Sequence, residues 1–104
     1  MSENKEEWRA VVGHAARYQV SDLGRVRLRR SRVVIEQKLD GEGYPVANLH
    51  FSSTPEVKRV GVMVAEAFHG GPVGLGITHL DGKITNSAAD NVRWKAPAGW
   101  RAQP

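Results

Sequence analysis

The chain has 104 residues, no cysteine and a formal net charge of +4. A domain of that size buries roughly 65% of its unfolded surface, and without thiols it has neither a disulfide staple nor a thiolate metal centre. No apolar run approaches the roughly 20 residues of a membrane helix, and the opening MSENKEEW is polar rather than secretory, so a soluble cytoplasmic protein without a membrane partner is expected.

The predicted elements are mostly short strands and turns. "EWRAVVG" and "YQVSDLGRVRLRR" form strands, with a turn at SDLG in which Gly24 takes positive φ. "VVIEQKLDGEGYPVANLHF" follows as two strands around DGEG. SSTPE is expected to turn, and Val60, Met63, Val64, Ala67 and Phe68 then recur at helical spacing, which predicts a helix from about Val60 to Phe68. Gly70, Gly71 and Pro72 stop it. After a glycine-rich loop, "ITHL" is a strand, DGK a turn and "NVRWK" a second strand, while APAGWRAQP does not promise a long helix.

Charge is unevenly placed. Three of the eleven acids lie in the first seven residues, whereas "GRVRLRRSR" holds five arginines in eight positions. Arg25, Arg27 and Arg29 alternate with Val26 and Leu28, so a strand here would bury the aliphatics and turn three guanidiniums to one side. With Arg30 and Arg32 they form a candidate nucleic-acid-binding row, for DNA or RNA, because a guanidinium fork matches phosphate oxygens. A solvated arginine face that aids solubility is the plainer alternative.

Trp8 and Trp94 are expected in the core, each with a partner for its indole N–H. Trp100, beside Arg101, either folds back or stands exposed as an anchor for a partner. His50 is expected at the surface, and His14 in a bend with no partner that the sequence names.

"YQVSDLGRVRLRR", with its V-S-x-x-G-R-V core, resembles the nuclease-associated DNA-binding element at the start of many phage homing endonucleases. "VAEAF", a proline-containing loop and "HLDGKITNSAADNVRW" resemble the HNH core of the same proteins, which reads H-x-D-G-x-x-x-N-N-x-x-x-N-L-x-W. The resemblance covers about residues 7 to 95. It implies an α+β fold of short antiparallel strands and hairpins with one central helix, leading into a truncated ββα-metal (His-Me finger) unit. Residues 1–59 would be the strand-rich DNA-binding element, and residues 60–104 the HNH-like core with a shortened C-terminal helix.

The same resemblance implies a one-metal nuclease centre. His79 matches the general base that deprotonates water, Asn91 the asparagine that orients it, and Asp81-Gly82 the turn between them. The metal positions depart from the family. Thr78 stands where a His, Asp or Asn ligand is expected, and Trp100 where a His or Asn is expected; a neutral hydroxyl is a poor ligand and an indole is none. Gly61 also replaces a histidine that is usual near the start of the helix. Asp81 and His69 are the weak substitutes, although Asp81 also suits a plain Asp-Gly turn and His69 an exposed helix end.

Three functions follow from these expectations. The first is a DNA-binding protein that keeps the scaffold and has lost its metal site, with no cofactor. The second is an active nicking endonuclease that uses magnesium or another divalent cation. The third is a phage module that binds a host protein.

Overall fold

The computed structural model describes residues 5–51, 54–70 and 76–95. Three antiparallel strands, β1 (Trp8–Ala10), β2 (Tyr18–Ser21) and β3 (Val26–Leu28), form the first sheet in that order. A second three-stranded sheet contains β4 (Lys38–Leu39), β5 (Pro45–Phe51) and β6 (Thr54–Arg59). Then come the helix α1 (Val60–His69) and a two-stranded hairpin of β7 (Ile77–His79) and β8 (Val92–Trp94).

Period-two burial builds the first sheet: Tyr18, Val20 and Val26 are buried, whereas Gln19 and Arg27 are not. The β2–β3 turn is held by the buried Ser21, whose Oγ accepts the backbone N–H groups of Leu23 and Arg25, both at 3.1 Å. Gly24 closes that turn at φ +88° and packs its backbone against Ser87. The Ala89 N–H then donates to the Asp22 carbonyl at 2.8 Å, tying the first sheet to the loop between β7 and β8.

Helix α1 buries Val60, Met63 and Val64 fully, with Ala67 and Phe68 packed at the edge of the same core, as the 3.6-residue spacing requires. It packs against β1, β2, β5, β6, β7 and β8. One hydrophobic cluster therefore joins Val11, Val20 and Val26 of the first sheet, Ala47 and Leu49 of the second, and Val92 of the hairpin. Gly61 is buried where α1 meets the hairpin; a Cβ there would stand 2.5 Å from Ile77 Cδ1.

Two expectations are corrected. Thr54, Pro55 and Glu56 do not form a turn but begin β6, which pairs along β5 from Phe51↔Thr54 to Val46↔Arg59. The alternation was hidden because the face shared with Ala47 and Leu49 carries charge rather than apolar residues. There Glu56 meets His14 and Lys58 pairs with Glu66 at 2.8 Å. Pro55 is tolerated because β6 lies at the sheet edge. The second correction is His14, which is buried and has a partner, its Nε2 lying 2.7 Å from Glu56 Oε1.

Among the described residues no helix is long and apolar enough to cross a membrane.

Candidate functional site

The β7–β8 hairpin pairs Ile77↔Trp94, Thr78↔Arg93 and His79↔Val92. Strand alternation puts Ile77 and His79 toward α1, where both approach Gly61, and leaves Thr78 exposed. The His79 ring lies against Tyr44, with centroids 5.9 Å apart. Its Nε2 is sealed from solvent and has no hydrogen-bond partner. Desolvation pushes the His79 pKa below its ordinary value, against an opposing pull from the Asp81 charge, so the ring is neutral at neutral pH. Trp94 is anchored as a core-edge tryptophan, its indole N–H donating to the Gly70 carbonyl at 2.5 Å.

After β7 the chain enters a closed polar network. Asp81 Oδ1 accepts the Lys83 N–H at 2.8 Å and Asn91 Nδ2 at 2.9 Å, and Oδ2 accepts Asn86 Nδ2 at 2.9 Å. Asn91 Oδ1 in turn accepts the Asp81 N–H at 3.0 Å, and its Nδ2 also donates to the Asn86 carbonyl at 2.9 Å. These bonds, led by the one from Asn86, hold the Asp81 carboxyl down at about 2. Asn91 is buried and bonded to the turn rather than to His79. In this arrangement Asn91 braces the Asp81–Asn91 loop.

Among the described residues the candidate metal donors do not converge. Thr78 offers a hydroxyl on the face opposite His79. Asp81 has both carboxylate oxygens occupied by the turn, and His69 Nε2 lies 2.7 Å from the Ala89 carbonyl, which fixes it as a donor. No group of three or more His, Asp or Glu side chains able to hold a metal occurs among the described residues. Trp100 lies outside the described residues, and the segment that contains it, APAGWRAQP, has no His, Asp, Glu or Asn.

The arginine row is split rather than continuous. Arg25 donates through Nε to Glu6 at 2.8 Å and through Nη2 to the other Glu6 oxygen, a pairing that lowers the Glu6 pKa. Arg27 Nε donates to Gln19 Oε1 at 2.8 Å. Both guanidiniums lie over the Trp8 ring, at 5.6 and 4.0 Å from its centroid. Trp8 is thus half-buried beneath two cations instead of sitting in the core.

Strand β3 ends at Leu28, and Arg29, Arg30, Ser31 and Arg32 form a four-residue hairpin loop. Leu28 N–H donates to Val33 O at 2.9 Å, and Arg32 N–H to Leu28 O at 3.0 Å. Arg32 takes φ +63° to close the loop. Arg29, Arg30 and Arg32 are exposed, and none forms an ion pair among the described residues. Arg17, which the sequence did not single out, stands beside them: the Arg29 N–H donates to the Arg17 carbonyl at 2.8 Å.

A strand-rich element that contains an arginine hairpin, followed by one helix and a hairpin that carries H-x-D-G-x-x-x-N, defines a class. Residues 6–50 match the NUMOD4 motif, and with the similarities below they make the chain similar to phage HNH homing endonucleases. Among curated proteins the chain is similar to DNA endonuclease I-HmuI of Bacillus phage SP01, 30% identical over 89 residues, or 85% of this chain. A solved structure described as DNA binding and cleavage by the HNH homing endonuclease I-HmuI superposes with a TM-score of 0.77 at 30% identity, covering 86% of this chain. This chain spans about half of the relative, 51% of the curated sequence and 52% of the structure.

Proposed function

We propose that this chain binds DNA on the homing-endonuclease scaffold and does not cleave it, acting in the cytoplasm of a bacterial host. In this reading residues 1–59 supply the DNA-binding surface and residues 60–104 an HNH-like core that braces it. The observation that supports the reading is that no three candidate metal donors converge among the described residues. Thr78 faces away from His79, the Asp81 carboxylate accepts three hydrogen bonds from its own loop, and His69 Nε2 donates to the Ala89 carbonyl. Phosphate contacts by arginine need no metal, so the exposed guanidiniums at Arg29, Arg30 and Arg32 can bind without the lost centre. Arg25 and Arg27, already engaged with Glu6, Gln19 and Trp8, add positive field and shape more than free donors.

Titration of duplex DNA by fluorescence anisotropy, in Mn²⁺ and in EDTA, tests both halves of the proposal. Equal affinity in the two buffers and a steep loss with salt are expected. Saturable Mn²⁺ binding that disappears in His79→Ala would overturn the loss of the metal site, and absence of DNA binding would overturn the rest.

A neutral His79 is the one feature that favours active nicking as a second reading, since a general base must be unprotonated to accept a proton from water. Magnesium or another divalent cation would then have to be held by donors beyond those described, and would supply charge stabilisation at the scissile phosphate.

A further inference from the structure

The loop that precedes β2 and the arginine hairpin enclose two adjoining hollows with different walls. One, of ≈ 730 Å³, is lined by Ala16, Arg17, Arg29 and Arg30. The other, of ≈ 330 Å³, shares Ala16, Arg17 and Arg30 but adds Leu28 and Ser31. Arg17 is held in place by donating Nη1 to the His50 carbonyl at 3.0 Å. It forms no ion pair among the described residues, nor do Arg29 and Arg30. Unpaired like charges facing one hollow repel one another, and a bound anion relieves that repulsion.

The geometry points to this groove as a seat for one sugar–phosphate unit of a DNA strand. The phosphate would lie among Arg17, Arg29 and Arg30, and the deoxyribose against Ala16 and Leu28. The apolar wall separates this ligand from a simple anion: Leu28 is 37% exposed in the hollow, and a deoxyribose offers apolar surface to cover it. Arg17 thereby becomes a phosphate-binding residue outside the linear arginine row. The inference rests on the DNA-binding reading above, and it locates the grip at the hairpin tip instead of along β3.

Anisotropy with a short duplex over a series of salt concentrations, on the full chain, tests it. Arg17→Ala and Arg30→Ala should each flatten the plot of log affinity against log salt by about one unit, whereas Arg25→Ala should change it less. Arg17 also bonds His50, so thermal melting accompanies each variant. Arg30, whose side chain makes no such bond, keeps the test valid if Arg17→Ala fails to fold. An oligonucleotide of abasic sugar–phosphate units should compete with the duplex, and polyglutamate of equal charge should compete much less.

If the wild-type chain binds DNA but Arg17→Ala and Arg30→Ala leave the slope unchanged, the groove is wrong while the DNA-binding reading stands. Equal competition by polyglutamate would also overturn the sugar–phosphate assignment. If the wild-type chain binds no DNA, both fail together.

Discussion

At the residue scale the informative pair is His79 and Asn91. Both positions were legible in the sequence, because a histidine between apolar residues before Asp-Gly marks a strand running into a turn. Their relation was not legible. Two of the three bonds that turn Asn91 toward the loop are to backbone groups of Asp81 and Asn86, which carry no side-chain signature. Asn91→Ala should consequently act on stability: removal of a buried amide that serves Asp81 and Asn86 is expected to cost about 2 kcal/mol. Urea unfolding measures it, and an unchanged midpoint would contradict the bracing role. The pH dependence follows from the same residues. His79 titrates below its ordinary value of 6.5 when folded, so the unfolded chain takes up that proton first and stability falls as pH drops below about 6.5. Asp81 adds to this at lower pH, its contribution being present above about 4 and lost as pH falls toward about 2. Unfolding free energies between pH 7.5 and 5 should decline in the wild type, and less in His79→Gln; equal declines would remove His79 as the source.

At the level of elements, the signals that could be read were those written in apolar periodicity. Val60, Met63 and Val64 gave α1 to within a residue of its observed end, and Asp-Gly and Ser-Asp-Leu-Gly gave the turns. Strand β6 escaped because Glu56 and Lys58 occupy its inner face, satisfied by His14 and Glu66, so no hydrophobic alternation marks it. The end of β3 escaped for a different reason. Its hairpin loop is closed by Arg32 in a left-handed conformation that glycine or asparagine usually fills, so the sequence carries no turn signal there. Trp8 looked like core and is instead a platform for Arg25 and Arg27, a contact between β1 and β3 that only the pairing of both with β2 creates. Gly24 is the sharpest test of how elements dock. A methyl there would meet Ser87 Cβ at 3.1 Å and must adopt φ +88°, so Gly24→Ala should cost about 2 kcal/mol and loosen the loop between β7 and β8. Thermal melting with amide hydrogen exchange at Ala89 checks both effects, and a variant as stable as the wild type would contradict this docking.

For the whole molecule, one core serves the two three-stranded sheets and the HNH-like hairpin together. Leu49 of the second sheet and Val92 of the last strand belong to the same buried cluster as Val20 and Val26. A core shared in this way means that Leu49→Ala, expected to cost about 3 kcal/mol, should unfold both stretches in one transition. Separate transitions seen by Trp8 and Trp94 fluorescence would contradict it. The shared core also gives the HNH-like unit a structural role of its own: its hairpin completes the packing of α1, and its loop receives Gly24 and Asp22 of the arginine-bearing sheet. The central claim, a nuclease scaffold that binds DNA uncut, is tested most directly by incubating the purified chain with supercoiled plasmid in Mg²⁺, Mn²⁺, Ni²⁺ or EDTA, alongside His79→Ala. Plasmid shifted in mobility yet fully supercoiled after the protein is stripped away is the expected result in all four buffers. Metal-dependent nicking that vanishes in His79→Ala would contradict it.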